Sequence, residues 1–265
     1  MATPTEAPAD RAAHRLPIQF EDMPILYEDE DEGDLGEADY HVDSDQILHQ
    51  GIKAHLQGSS RRVFSNMNCY YLKGPPHKRT GSLPYVSPDN MVVEPDRDLG
   101  ALVVSYTIGE DGPPPLLVGE VLSKRSAQQN DLKKKLVIYA KLGIAEYILV
   151  DVTGKFLKQR LLLKRLQTNR KWTDESDADG GVTSRLGFRL IIDSDGRLRA
   201  VNAATGVPYP RPDEAATEAA ARRSAEKKLR AADRRLQAET AARLEAEEQL
   251  RKLQAELDRL RGKSE

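Results

Sequence analysis

The chain has 265 residues, of which 39% are hydrophobic and 31% charged, and this length corresponds to one or two domains. Its net charge of −2 conceals an asymmetry, because residues 1–45 carry −12, residues 46–212 carry +9 and residues 213–265 carry +1. No apolar run approaches the ~20 residues of a membrane helix, no secretory signal is present, and the single cysteine, Cys69, excludes an internal disulfide. These features predict a cytoplasmic protein that crosses no membrane.

The N-terminal residues are strongly acidic. Residues 28–39 read EDEDEGDLGEAD, a run that lacks the apolar surface needed to form a core. We therefore expect a disordered acidic tail over residues 1–41. A solvated tail is one interpretation, and a nucleic-acid mimic that folds back over the basic core is the other.

A globular domain is expected over residues 42–206. Ser44 is a candidate N-cap for a helix that runs to Leu56, because apolar side chains recur at helical spacing after it. Strand-like segments follow at 62–72, 85–93 and 102–108. A loop rich in Gly and Pro, residues 109–115, separates them from the next run.

A strand, a helix and a second strand are predicted in the middle of this domain. Residues 116–122 are apolar except for Glu120, which is typical of a strand buried on both faces. Residues 127–142 have helical spacing and end before Gly143, and residues 146–151 form another apolar run. This order indicates a βαβ crossover, and further strands are expected at 155–166 and 185–193.

The composition changes from Asp213 onward to Ala, Glu, Arg, Leu and Gln, with no Gly or Pro before Gly262. Heptad positions a and d are occupied near the end by Leu250, Leu253, Leu257 and Leu260. This pattern predicts a coiled coil over residues 213–262, and with it a homodimer or an unknown protein partner. A solitary helix stabilised by salt bridges is the alternative.

Asp89 and Glu120 are the strongest candidates for a metal site. Glu120 lies inside a strand predicted to be buried, where an unpaired carboxylate is costly. Two carboxylates that converge from adjacent strands suit Mg²⁺ or Mn²⁺, which can activate a water and stabilise charge on a phosphodiester. A simple ion pair between Glu120 and a core lysine is the alternative.

Four motifs carry a resemblance to a known family. They are Ser87-Pro88-Asp89, the segment PLLVGEVLS at 115–123, the series Asp131, Lys135 and Tyr139, and the segment GIAEYILVD at 143–151. In this order they resemble the Uma2 family of putative restriction endonucleases, which belongs to the PD-(D/E)XK nuclease superfamily. The likeness covers roughly residues 44–195.

The resemblance implies an α/β, restriction-endonuclease-like fold with a mixed central sheet flanked by helices, followed here by the long C-terminal helix. It also implies that Asp89 and Glu120 bind Mg²⁺. The superfamily's lysine normally stands two residues after the second acid, where this chain has Leu122. We expect Lys135 on the following helix to replace it, with Lys124 as the alternative.

The positive charge of residues 46–212 suits DNA as a partner. Four basic side chains are candidates for nucleic-acid contacts, although lysines on a helix are also typical of a solvated face: Lys124, Arg125, Lys133 and Lys134. His49 is interpreted as an exposed helix histidine and Tyr139 as a packing residue between helix and sheet. Trp172 has no assigned role.

The leading hypothesis is an endonuclease dependent on Mg²⁺ or Mn²⁺ that hydrolyses DNA phosphodiester bonds with Asp89, Glu120 and Lys135. The alternative is an inactive nuclease fold that binds nucleic acid or a protein and is dimerised by its coiled coil. Leu122 in place of the usual lysine favours this alternative. A scaffold that binds no nucleic acid is the third hypothesis.

Overall fold

The computed structural model describes residues 15–24, 39–71, 76, 81, 83–123 and 131–261. The helices of this part, numbered in chain order, are α1 (Asp39–His55), α2 (Asp131–Leu142) and α3 (Pro212–Arg261). The strands are β1 (Arg62–Ser65), β2 (Cys69–Tyr71), β3 (Tyr85–Val86), β4 (Asn90–Val93), β5 (Tyr106–Ile108), β6 (Leu117–Val121), β7 (Glu146–Val150), β8 (Leu161–Leu166), β9 (Trp172–Glu175), β10 (Val182–Thr183), β11 (Phe188–Ile192) and β12 (Leu198–Asn202).

A six-stranded mixed sheet forms the centre of the domain. Its order is β1-β4-β6-β7-β8-β9, and only β6 and β7 among its neighbouring strands run parallel. Helix α2 connects these two strands, so the predicted βαβ crossover is confirmed. Two smaller sheets, β3-β2-β5 and β10-β11-β12, complete the described strands.

The two faces of the central sheet are covered by different elements. Successive side chains of a strand point to opposite faces. On β6, Val118 joins an apolar cluster that includes Ile138 of α2, whereas Leu117 joins a second cluster that includes Ile52 of α1. Helix α2 and the sheet β3-β2-β5 therefore lie on one face, and α1 and the sheet β10-β11-β12 lie on the other.

Helix α1 packs closely on the second face. Its Gly51 approaches strand β12 so tightly that a side chain at this position would collide with the Cβ of Ala200. The helix begins at Asp39 rather than at Ser44, and the hydroxyl of Ser44 donates to the carbonyl of Tyr40 one turn earlier. Ser44 is therefore an interior residue of the helix and not its N-cap.

Several strand boundaries differ from the predicted ones. The segment 62–72 divides into β1 and β2, which belong to different sheets, and Asn66 between them has a left-handed φ of 49°. Pro88 separates β3 from β4, since proline cannot donate to a strand ladder. Residues 102–105 are not a strand at all, and the side chain of Leu102 is 95% exposed.

Strands β9, β10 and β12 were not predicted: β9 is polar, β10 has only two residues, and β12 interrupts its apolar residues with Arg199. Trp172, which had no assigned role, begins β9. Its indole N–H donates to the carbonyl of Leu136 at 3.1 Å and so attaches the edge of the sheet to α2.

Part of the expected acidic tail packs against the domain. Ile18 and Met23 contact the apolar cluster on the α2 side, and the N–H of Gln19 donates to the carbonyl of Lys141 at 2.8 Å. Helix α2 ends before Gly143, whose φ of +78° places it in the left-handed region expected of a helix stop. The acidic run 28–39 lies outside the described residues except for Asp39.

The chain divides into two compact units, Met1–Pro212 and Asp213–Glu265. The second unit is built on α3. With Leu229 at heptad position a, the seam of a and d positions includes Leu229, Leu236, Leu250 and Leu253, whose side chains are all exposed. The predicted long helix is thus confirmed, and its pairing as a coiled coil stays a prediction. No helix in the described part of the chain has both the length and the apolar character needed to cross a membrane.

Candidate active site

Strand alternation and register place Asp89 beside Glu120. Glu120 shares the α2-side face of β6 with Val118, because the two lie two residues apart. Strands β4 and β6 are antiparallel, their ladder ends at Asn90 opposite Gly119, and Asp89 and Glu120 are the next residues of the two segments. Both carboxyl groups therefore lie at the same end of the sheet.

Two side chains of α2 reach Glu120. The ammonium of Lys135 lies 3.1 Å from Oε1 of Glu120, and the hydroxyl of Tyr139 donates to the same oxygen at 3.1 Å. Lys135 and Tyr139 are one helical turn apart, so they lie on one stripe of the helix. The contact expected between Lys135 and Glu120 is present. Leu122, in the position usual for the lysine, is buried in the apolar cluster instead.

Tyr139 both packs and hydrogen-bonds. Its ring lies edge-on to the ring of Tyr147 with centroids 5.1 Å apart, which is the packing role expected from the sequence. Its hydroxyl adds a polar contact that the sequence did not reveal. Together with Lys135 it directs Oε1 of Glu120 toward α2, so both described hydrogen bonds of Glu120 fall on a single oxygen.

Asp89 is held by the end of β6. Its Oδ2 accepts the backbone N–H of Val121 at 2.7 Å. Burial and the like charge of Glu120 raise the pKa of Asp89 well above its ordinary value, although the hydrogen bond from Val121 and the charge of Lys135 act in the opposite direction. The pair therefore favours a proton or a cation between its members.

His41 of α1 closes the other side of Asp89. Its Nε2 lies 2.9 Å from the carbonyl oxygen of Val121 and 3.6 Å from Oδ2 of Asp89. Since a carbonyl can only accept, Nε2 carries the proton. The same peptide region that binds Asp89 is thus fixed by a helix from the opposite face of the sheet.

A polar network lies behind Asp89 on the α1 side. Asn90 points to the opposite face from Asp89, and its amide N–H donates to Oδ1 of Asp45. Asp45 also accepts from the hydroxyl of Ser65 at 3.0 Å and from the amide of Asn66 at 3.3 Å. Burial raises the pKa of Asp45. This network anchors the residue that follows Asp89.

His49 belongs to the same network, so its interpretation as an exposed histidine is wrong. Its Nδ1 lies 3.2 Å from Oδ1 of Asn90, and burial lowers its pKa, which favours the neutral ring. A signal for this network exists in the sequence. His41, Asp45 and His49 recur every four residues, a polar stripe on a helix that otherwise buries apolar side chains.

The remaining predicted site residues fall into two groups. Lys133 and Lys134 lie on α2 with exposed side chains, two residues and one residue before Lys135. Lys124 and Arg125 lie outside the described residues, as does the side chain of Asp131. The structure thus brings Lys135, and not the lysines that precede it on the helix, to Glu120.

The other acids of the sequence motifs have structural roles. Glu146 is buried at the start of β7, where it pairs with Arg165 of β8 and accepts from the hydroxyl of Ser184 and the N–H of Arg185. Asp151 follows β7 and accepts backbone N–H groups of the next turn, up to Leu157. Neither acid contributes to the Asp89–Glu120 pair.

A family model described as "Uma2: Putative restriction endonuclease" matches residues 19–190, which is more than half of the chain. The chain belongs to the Uma2 family. Among solved structures, this Uma2 protein is similar to a putative nuclease belonging to DUF820 from Anabaena variabilis, with 15% identity and a TM-score of 0.41. That match covers 56% of this chain and 73% of the other. Comparison with curated proteins gave no match.

The donor set of the Asp89–Glu120 pair fits a hard divalent cation. Asp89 and Glu120 are oxygen donors, and their mutual repulsion would be relieved by a positive charge between them. Within the described residues no cluster of three His, Cys, Asp or Glu side chains is suited to a metal, and the oxygens of Asp45 are engaged by Ser65, Asn66 and Asn90. Water, main-chain carbonyls or substrate oxygens would have to complete the coordination, as Mg²⁺ commonly allows.

Proposed function

We propose that this protein is a cytoplasmic, divalent-metal-dependent endonuclease that hydrolyses phosphodiester bonds of DNA. One observation carries the proposal: Asp89, which directly precedes β4, is held at the end of β6 near Glu120, and the ammonium of Lys135 contacts Glu120. Family membership supports the reaction class, because the matching model describes restriction endonucleases.

Asp89 and Glu120 would hold Mg²⁺ or Mn²⁺. Oδ2 of Asp89 and Oε1 of Glu120 accept hydrogen bonds, so the other oxygen of each carboxyl group is the better placed for a cation. When bound, the cation supplies Lewis-acid stabilisation of the phosphodiester and a water that ionises more easily.

Lys135 would stabilise charge. Beside a carboxylate the ammonium form of lysine is favoured, so this residue is better suited to neutralising a phosphate oxygen than to accepting a proton. Tyr139 would hold Oε1 of Glu120 in place through its hydroxyl. In the overall reaction the oxygen of a water bonds to phosphorus, and the bond from phosphorus to one sugar oxygen breaks.

The basic side chains next to this site would bind DNA phosphates. Lys133 and Lys134 expose their ammonium groups on the helix that delivers Lys135. Lys124 and Arg125 precede the same helix in sequence and are proposed for the same role. Each phosphate contact adds to the affinity and makes it dependent on salt.

The test is cleavage of plasmid and single-stranded DNA with Mg²⁺ and with Mn²⁺. Glu120→Gln removes the charge at nearly constant shape and should lower cleavage to the level without protein. Asp174→Asn is the matched control, because Asp174 is an exposed acid on β9 at the far edge of the sheet, paired with Lys164. Its cleavage should equal that of the wild type.

The outcomes separate the possibilities. Cleavage by the wild type and by Asp174→Asn, but not by Glu120→Gln, would support a metal-dependent nuclease centred on Glu120. Equal cleavage by all three proteins would contradict the site. If none of the three proteins cleaves DNA but the wild type binds it, the result would favour the alternative of an inactive nuclease fold that binds DNA.

One observation favours that alternative. The ammonium of Lys135 lies 3.1 Å from Oε1 of Glu120, which is the simple ion pair considered from the sequence. On this view the fold binds DNA without hydrolysing it.

We further propose that α3 pairs two copies of the chain. Its exposed seam of Leu229, Leu236, Leu250 and Leu253 is the surface that a coiled coil would bury. Pairing of two subunits would let two sites act on the two strands of one duplex. Surface pairs such as Arg243–Glu247 stabilise the helix by itself to a small extent and are compatible with either state.

A further inference from the structure

A basic groove lies between α1 and the free edge of β1, which is the edge strand of the central sheet. We define this α1–β1 groove by the second half of α1, the strand β1 and residues 101–103, and its volume is about 780 Å³. It was not recognised from the sequence, because its walls come from a helix, the following strand and a distant third stretch near residues 101–103.

The charge of the groove has one sign. Three fixed positive charges line it, those of Lys53, Arg61 and Arg62, and no Asp or Glu is among its described lining residues. Gln50 and Gln57 of α1 add neutral hydrogen-bonding groups. A cleft lined by charge of one sign attracts ligands of the opposite sign.

The geometry of the groove suits an elongated partner. Strand β1 pairs only with β4 in the central sheet, so its other edge faces away from the ladder. Apolar atoms also contribute, since Val63 and Phe64 line the groove and the guanidinium of Arg62 stacks over the ring of Phe64 at 5.2 Å. A sugar–phosphate backbone combines negative charge with apolar sugar surface in the same way.

The groove reaches the polar network that lies behind Asp89. His49 and Ser65 line the groove, and both belong to the network of Asp45 and Asn90. The strand order β1-β4-β6 places the free edge of β1 two strands away from Glu120. DNA that binds at the active site and extends past this edge of the sheet would therefore meet the groove.

We propose that the α1–β1 groove binds the sugar–phosphate backbone of DNA beyond the phosphate that is cleaved. The DNA partner rests on the proposed function, whereas the groove itself is a separate site. Lys53 and Arg61 neutralise backbone phosphates, and Arg62 shapes the floor through its contacts with Phe64 and the carbonyl of Gly100.

Binding is measured without cleavage, by fluorescence anisotropy of a labelled duplex in EDTA, with the full chain, over a salt titration. The double variant Lys53→Gln/Arg61→Gln removes two charges. Each lost phosphate contact lowers the salt slope by about 0.9, so the drop in affinity between about 50 and 200 mM salt should become about tenfold smaller. Lys53→Glu/Arg61→Glu should weaken binding further.

The matched control is Lys171→Gln. Lys171 is an exposed lysine before β9, at the opposite edge of the sheet, and does not line the groove. Its salt slope should match that of the wild type. Thermal unfolding of each variant checks that the loss of affinity is not a loss of fold.

The result separates this proposal from the nuclease proposal. A reduced slope in the groove variants alone supports the groove, whether or not the wild type cleaves DNA. Unchanged binding by both groove variants overturns it, even if Mg²⁺-dependent cleavage is found. Absence of DNA binding by the wild type at low salt also overturns it.

Discussion

Replacing Lys135 with methionine tests whether the ion pair with Glu120 is a desolvated contact that a cation can replace. The two side chains are 12% and 6% exposed, and their charged atoms lie 3.1 Å apart. Methionine keeps the length and apolar stem of lysine but removes its charge. Glu120 then remains beside Asp89 without its partner on α2.

The expected cost follows from this geometry. At 3.1 Å and an effective dielectric constant of about 20, the Coulomb attraction is about 5 kcal/mol. Removal of one partner of a buried pair typically costs about 3–5 kcal/mol. We expect about 3 kcal/mol, the lower end of this range, because Tyr139 still donates to Glu120.

Urea unfolding followed by tryptophan fluorescence measures this loss. Trp172 is the only tryptophan of the chain, and its indole donates to Leu136 of α2, so its emission reports the docking of that helix on the sheet. Lys134→Met is the matched control. It makes the same substitution on the same helix at an exposed position, and its stability should be close to that of the wild type.

The same variant should respond more strongly to Mg²⁺. In the variant, Mg²⁺ no longer has to compete with the ammonium of Lys135 for Glu120. At a concentration of about 100 times its Kd, bound Mg²⁺ would add about 2.7 kcal/mol to the free energy of unfolding. DNA cleavage should still be lost, because the charge on α2 is absent. Equal free energies of unfolding for Lys135→Met and Lys134→Met would refute the claim that the Lys135–Glu120 ion pair is a desolvated, stabilising contact. An equal effect of Mg²⁺ on wild type and variant would refute the competition.

Three further predictions concern the rest of the chain. Burial raises the pKa of Cys69 to about 12, so the folded protein holds the thiol proton more tightly than the unfolded chain does. The free energy of unfolding should therefore fall as the pH rises from about 9 toward 12. A thiol reagent should react with the buried Cys69 only when the protein unfolds. Hydrogen bonds from Arg211 lower the pKa of Asp195 to about 2. The ionised Asp195 therefore stabilises the fold above about pH 4, and this contribution is lost as the pH falls through 2. Arg211→Met should remove this pH dependence from acid unfolding curves. Deletion of residues 213–265 should convert a dimer into a monomer by light scattering, and a truncated chain that stays dimeric would contradict the coiled coil.

The centre of the fold was predictable because its signals are local and strong. An apolar run interrupted by Glu120, a helical segment and a second apolar run are sufficient to indicate the crossover β6–α2–β7. Alternation then places Glu120 on the face that α2 covers. Helical spacing places Lys135 and Tyr139 on one stripe, which is why the contact of Lys135 with Glu120 could be expected in advance.

The support of Asp89 from α1 was not predictable in the same way. Asp45 and Asn90 are 45 positions apart, and each is an ordinary polar residue in its own segment. Their contact depends on the crossing of α1 over the sheet, which is set by close packing such as that of Gly51 against β12. The change of sheet at Asn66 was missed for a similar reason, since a single left-handed residue leaves little trace in a hydrophobic pattern.

The position of Lys135 bears on whether Leu122 signals an inactive fold. Residues 120 and 122 point to the same face of the sheet, so a lysine at 122 would send its ammonium into the space beneath α2. Lys135 reaches that space from α2, and Leu122 belongs to the apolar cluster instead. The lysine thus comes from a different place in the sequence than is usual in the superfamily, but its ammonium lies in nearly the same place in the site. Leu122 alone is therefore no argument against hydrolysis, and the choice between nuclease and binding module depends on whether a cation can compete with Lys135 for Glu120.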